Sequence, residues 1–264
     1  MKLPLLGMGT WGMGGRFEKD PRNTEESIEL LRYGFDLGIT LVDVAEIYGE
    51  GLTEEILGRA MEGRNREDII VVSKVWKEHL RYDEVIRAAE GSLKRLNTSY
   101  IDLYLIHWPD PKVPLKETMQ AMEALVERGL VKEIGVSNFS VPLMQEAQSH
   151  LKHTKLSANE IEYNLSSRSA EAEVIPFCRE HDIRVIAYRP FAKGVLLSGP
   201  NETLKLLSEK YGKTPAQIAL NWIMGKGASA IPKAGSKEHL LENAGARGWS
   251  LVPEDVRILE SAYS

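Results

Sequence analysis

Four side chains in the first half of the chain have the types needed to put a proton on an oxygen: Asp43, Tyr48, Lys74 and His107. A phenol with a pKa near ~10 gives up its proton reluctantly at neutral pH, and a neighbouring ammonium stabilises the phenolate and lowers that value. Lys74 is expected to act on Tyr48 in this way. Asp43 would hold Lys74 charged and in place, and His107 would orient and polarise a carbonyl by donating a hydrogen bond. Reduction of a carbonyl needs hydride at carbon and a proton at oxygen, and this set supplies the proton. Taken singly, each residue also has a plainer reading. Tyr48 can be a packing aromatic, His107 a satisfied strand-end histidine, and Asp43 with Lys74 a structural ion pair.

Four separated positions converge only if the fold brings them together. Eight short aliphatic or β-branched runs read as strands: KLPLLGMG, TLVDVAE, DIIVVSKVW, YIDLYLIHW, VKEIGVSNF, LSANEIEYN, RVIAYRPF and SAIPKAG. Between them the apolar period turns helical, as at Ile28, Leu31 and Phe35, or at Ala88, Ala89, Ser92, Leu93 and Leu96. Gly38 stands where a C-terminal glycine belongs, and Thr214-Pro215 reads as an N-cap followed by proline at the first helical position. Near-continuous apolar strands alternating with amphipathic helices imply a parallel sheet covered on both faces. Eight such units predict one α/β domain over residues 1–264, a closed (β/α)8 TIM barrel, with a last helix-like segment from Pro253 to Ala262. In such a barrel the C-terminal strand ends build the active site. Asp43 sits late in its run with Tyr48 just beyond, while Lys74 and His107 close theirs.

Composition removes several function classes. The 264 residues carry 43% hydrophobic and 27% charged side chains, ordinary for a globular enzyme. A net charge of -5 without a basic block gives no footprint for nucleic acid. No apolar run approaches a membrane span, and MKLPLLGMGT does not read as a signal peptide. The lone Cys178 rules out an internal disulfide and suits a reducing compartment, a small buried residue being its plainest role. A cytoplasmic monomer acting on a small molecule is the expectation.

Gly7, Gly9 and Gly12 spell G-x-G-x-x-G, but the following GMGGRFEKDPRN reads as a loop rather than a helix start, so a Rossmann fingerprint is rejected. His150 and His153 are expected near the end of one helix as solvated residues without a third metal ligand. Trp11, Trp76 and Trp108 follow strand ends and are expected to wall an apolar pocket. Ser137 and Asn138 could equally cap the next helix.

The segments DVAEIYG, SKVW, LIHWPD, GVSNF and IPKAGSKEHLLEN, in this order across nearly the whole chain, resemble the signature segments of the aldo-keto reductase family. The resemblance implies that Asp43, Tyr48, Lys74 and His107 form a catalytic tetrad and that the cofactor is NADP(H) and/or NAD(H), bound without a metal. It also implies that Ser137, Asn138 and Glu160 meet the nicotinamide carboxamide and that Tyr188 stacks on the ring. Lys233 and His239 stand where the family holds the cofactor phosphate, Asn243 where it meets adenine, and Gly9, Thr10 and Trp11 end the first strand beside the cofactor.

Three positions depart from the family pattern. Glu160 replaces a glutamine, and an ionised carboxylate only accepts hydrogen bonds; such a charge would favour the oxidised ring. Ala234 replaces a serine, and His239 replaces an arginine, so both NADH and NADPH are expected to be accepted. The segments before the first strand and after the eighth unit are short, which predicts an open, permissive pocket. Two other functions fit the same residues. One is a regulatory barrel like the channel-associated β subunits that resemble this family; the other is an aldolase using Lys74 as a Schiff-base nucleophile.

Overall fold

The computed structural model describes residues 2–198 and 202–263. Eight strands are interleaved with helices: β1 (Gly7–Gly9), α1 (Thr24–Asp36), β2 (Leu41–Asp43), α2 (Leu52–Met61), β3 (Ile70–Val75), α3 (Tyr82–Leu96), β4 (Ile101–Ile106) and α4 (Leu115–Glu127) form the first half. The second half runs β5 (Val131–Ser137), α5 (Val141–Ser149), β6 (Leu156–Glu162), α6 (Val174–Glu180), β7 (Arg184–Tyr188), α7 (Val195–Ser198), α8 (Glu202–Tyr211), α9 (Pro215–Gly225), β8 (Ser229–Ala230), α10 (Lys237–Ala244) and α11 (Pro253–Ser261). All strands pair in parallel with their sequence neighbours, in the order β1 to β8. The ring closes through the parallel bridges Leu6 to Ala230 and Gly9 to Lys233. This is the expected (β/α)8 barrel.

The local signals act as expected at the helix ends. The Thr214 side chain accepts from the Gln217 N–H and the Gln217 side chain accepts from the Thr214 N–H, a reciprocal cap ahead of Pro215. Gly38 takes φ 72° after α1, where the Ile39 N–H reaches the Gly34 carbonyl. Several strands are shorter than the apolar runs that encode them. Only Gly7–Gly9 of KLPLLGMG pairs as a strand, and only Ser229–Ala230 of SAIPKAG. Closure at this seam rests on single bridges rather than on long ladders.

The period of two along each strand sorts side chains between two cores. Val42, Val71, Val75, Tyr104, Ile106 and Val136 point outward into the layer beneath the helices. Leu41, Val72, Leu103, Leu105, Ala158 and Ile186 fill the barrel interior. Gly135 leaves room there: a Cβ on it would stand 2.7 Å from a Leu105 methyl carbon and 2.5 Å from the Ala158 carbonyl oxygen. The inward rows continue past this apolar plug, so the next inward residues are Asp43, Lys74, His107, Ser137, Glu160 and Tyr188. Alternation on each strand thus carries polar side chains to the same end of the barrel.

Candidate active site

Lys74 is the hub. Its side chain is fully buried, and its ammonium donates to the Asp43 carboxylate at 2.5 Å, to the Val44 carbonyl at 3.1 Å and to the Tyr48 hydroxyl at 3.5 Å. A second carboxyl, Glu160 on β6, stands 3.5 Å from the same nitrogen. Burial alone would drive Lys74 towards the neutral amine, but the Asp43 carboxylate overcomes it and holds its pKa above the ordinary value. Thr10 braces this group from β1, its hydroxyl donating to the Asp43 carbonyl at 2.6 Å.

Tyr48 reaches the site from a 3-10 turn, Tyr48–Gly51, rather than from a strand. Gly49 and Glu50 both take left-handed φ values, 54° and 51°. Gly49 needs its missing side chain, since a Cβ would lie 2.2 Å from the Gly14 carbonyl oxygen. The Tyr48 ring is wedged edge-on between Trp11, with centroids 4.8 Å apart, and His107 at 5.6 Å. Its pKa runs against the expectation of a depressed phenol. Burial raises it most, Lys74 pulls it down, the Asp43 charge adds to the rise, and the net shift is upward. His107 is pushed down to about 2 by burial and then by the Lys74 charge, so its imidazole is neutral. Its buried Nδ1 has no hydrogen-bond partner.

Glu160 also departs from what its type suggested. Burial, then the Asp43 carboxylate, raises its pKa well above the ordinary value despite Lys74, which favours the protonated acid over the anion. An acid recovers the donor capacity that a carboxylate lacks. Its Oε2 is buried without a hydrogen bond. A protonated Glu160 would not favour an oxidised ring as a carboxylate would.

Ser137, Asn138 and Tyr188 build a hydrogen-bonded shelf beside it. The Ser137 hydroxyl donates to the Glu160 carbonyl at 3.0 Å, and the Asn138 amide nitrogen donates to Ser137 Oγ at 2.9 Å and to the His107 carbonyl at 3.3 Å. The Tyr188 hydroxyl donates to Asn138 Oδ1 at 2.8 Å. Ser137 and Asn138 therefore do not cap the next helix, whose N-cap is Ser140. On the rim, Gly9 bridges to Lys233. Lys233 and His239 are exposed, whereas Asn243 is buried on α10. Burial, then Arg16, lowers the Lys233 pKa.

Two of the three tryptophans meet at the site. Trp11 packs on Tyr48, and Trp76 lies edge-on to His107 at 5.1 Å. Trp108, just past the end of β4, is 42% exposed and makes no ring contact with them. The structure adds Glu46, which the sequence reading passed over: its carboxylate accepts from the Trp76 N–H at 2.6 Å and lies 3.0 Å from His79 Nδ1. The polar end of TLVDVAE was the available signal. His150 and His153 do not share a helix face; α5 ends at Ser149, and the His153 N–H donates to Glu123 in the following turn. Among the described residues no group of side chains is arranged to hold a metal ion.

The fit to a nicotinamide dinucleotide comes from this chain's own groups. The unpartnered Nδ1 of His107, the Glu160 carboxyl, the Ser137 and Asn138 shelf, the Tyr188 ring and the rim lysine lie along one end of the barrel.

The sequence profile of the Aldo/keto reductase family matches residues 5–264. A methylglyoxal reductase of Escherichia coli is 36% identical over 267 residues, covering 100% of this chain and 92% of its own. An aldo-keto reductase of Bacillus subtilis is 33% identical, covering 98% and 91%. Among solved structures, a thermostable aldo-keto reductase in complex with the inhibitor epalrestat superposes with a TM-score of 0.95 at 42% identity, covering 98% of this chain and 95% of that one. An aldo/keto reductase from Klebsiella pneumoniae in complex with NADP and acetate superposes with a TM-score of 0.89 at 37% identity, covering 99% and 92%. The chain belongs to the aldo/keto reductase family.

Proposed function

We infer that this chain reduces small aldehyde and ketone carbonyls to alcohols, and runs the reverse reaction, with Tyr48 as the proton donor and acceptor. One observation carries the reading: a buried phenol 3.5 Å from an ammonium that the buried Asp43 carboxylate keeps charged, beside an imidazole that burial keeps neutral. A phenol whose pKa is raised stays loaded with its proton across neutral pH. An alkoxide is by far the stronger base, so Tyr48 gives it that proton, and Lys74 stabilises the phenolate that remains. Neutral His107 retains one N–H with which to hold the carbonyl oxygen in line. When bound, a nicotinamide dinucleotide supplies the hydride. Ser137, Asn138 and the Glu160 acid would hold its carboxamide, Tyr188 its ring, and Lys233, His239 and Asn243 its phosphate and adenine end, with Gly9, Thr10 and Trp11 alongside.

Relatives named methylglyoxal reductases support small α-oxoaldehydes within the substrate class, and the aromatic walls of Trp11 and Trp76 suit a compact, partly apolar carbonyl. Neighbours crystallised with NADP or NADPH support NADP(H), with NADH expected as an alternative. A Schiff-base aldolase needs an unprotonated amine, and the raised pKa of Lys74 works against it. The uninterrupted strand order supports reading residues 1–264 as one domain. The unpaired Cys178 suits the cytoplasm. No helix among the described residues is long and apolar enough to cross a membrane. The test is consumption of NADH and NADPH in parallel with a panel of carbonyl compounds that includes methylglyoxal. Oxidation of at least one cofactor is expected; none with any carbonyl would sink the reading.

A further inference from the structure

Residues 10–23, which join β1 to α1, bring Arg16 into the same small space as Lys233, which follows β8. The Lys233 ammonium lies 3.0 Å from the point that a Cβ on Gly12 would occupy, and Cγ of Arg16 lies 3.9 Å from the same point. Gly12 takes φ 91°, so a side chain there would be both strained and in the lysine's way. The third glycine of the rejected dinucleotide fingerprint thus opens room for a charged group from the far end of the chain.

Nothing neutralises these charges. Among the described residues neither Arg16 nor Lys233 has an ion pair or a side-chain hydrogen bond, and neither belongs to the residues with further interactions. The neighbouring carboxylates are engaged elsewhere: Asp20 is forked by Arg22, and Glu55 pairs with Lys19. Glu18, exposed on the same loop, pairs with neither cation. Two like charges held together without a counterion raise the local potential and favour an anion between them.

The loop is held firmly. The Met13 N–H donates to the Thr10 carbonyl and the Asp20 N–H to the Gly14 carbonyl, each at 2.8 Å. The Thr53 hydroxyl donates to the Met13 carbonyl. The Gly49 N–H, one residue past Tyr48, donates to the Arg16 carbonyl at 2.8 Å. The backbone of Arg16 is therefore tied to the turn that aims the proton donor.

We propose that Arg16 is a second phosphate-binding cation of the cofactor site, facing Lys233 across Gly12, on a loop that links the cofactor's phosphates to the Tyr48 turn. A guanidinium offers a planar, permanently charged fork for phosphate oxygens, which His239 on α10 does not. The grip that looks half built on α10 is completed from the loop after β1. The ligand chemistry is a phosphate of a dinucleotide, either the pyrophosphate or the 2′-phosphate, and the proposal rests on the reading of Lys233 as a phosphate contact.

The test is fluorescence titration of NADPH and NADH on the parent protein, Arg16→Gln, Arg16→Lys and Lys233→Met at two salt concentrations, with the thermal midpoint of each. Arg16→Gln is expected to weaken binding about tenfold and flatten its salt dependence, with Arg16→Lys recovering part of the loss. The midpoint should stay unchanged because the side chain is exposed and unpartnered. Equal losses for both cofactors support the proposal at the pyrophosphate, and a loss confined to NADPH supports it at the 2′-phosphate. Unchanged affinities in Arg16→Gln, with a loss in Lys233→Met, overturn the role of Arg16 alone. Unchanged affinities in Lys233→Met as well overturn the phosphate reading on which it stands.

Discussion

Replacing Glu160 by glutamine tests the charge state of the site through stability, independently of turnover. Glu160 is buried, and its carboxyl pKa is raised, by burial first and by Asp43 second. In the unfolded chain the same carboxyl ionises near ~4.3. A group whose folded pKa is raised gives stability that is fully present below the unfolded pKa and is lost as pH rises towards the folded one. Within that window the parent protein loses about 1.4 kcal/mol per pH unit through this carboxyl. Glutamine keeps the shape and does not titrate. The thermal midpoint of Glu160→Gln relative to the parent should therefore climb with pH, by roughly 3–5 °C per unit for a chain of this size. The assay is calorimetry of both proteins at matched ionic strength from pH 5 to pH 8. Midpoints that run parallel over this range would show that Glu160 is ionised in the folded protein, and the account of a neutral acid beside Lys74 would fail.

Because His107 is pushed down to about 2, the pH profile of kcat/KM should show no histidine limb between pH 5 and pH 8; a limb near 6.5 that disappears in His107→Gln would contradict this. His239→Arg should tighten NADP several-fold and make its binding more sensitive to salt, with little effect on NAD; equal affinities before and after the change, by fluorescence titration, would show that the exposed His239 never meets the phosphate.

The alternation of residues made much of this architecture legible. Leu41 and Asp43, Val72 and Lys74, and Leu105 and His107 are each two apart, so an apolar plug in the barrel predicts where the polar ends emerge. The same parity puts Ala158, Glu160 and Glu162 on one row, yet it does not give the rotation around the barrel, and the 3.5 Å approach of Glu160 to Lys74 was out of reach. Pairwise reasoning also misjudged Tyr48, since a neighbouring ammonium lowers a phenol's pKa only to the extent that it beats burial. Ser137 and Asn138 were compatible with capping by type, but α5 starts later, at Ser140, and leaves them free to build the shelf. Arg16 had no signal, as its meaning depends on Lys233 arriving from β8 across the seam with β1.

The central claim is that Tyr48 supplies the proton while the rest of the site only holds and polarises. Single-turnover hydride transfer in Tyr48→Phe, measured on the same preparation as a cofactor fluorescence titration, tests it most directly. The ring and its contacts with Trp11 and His107 survive the change, so cofactor affinity should stay within about threefold of the parent. Hydride transfer to a carbonyl should fall by at least about a hundredfold, the usual scale for a positioned proton donor. Transfer at the parent rate with cofactor bound would contradict the account.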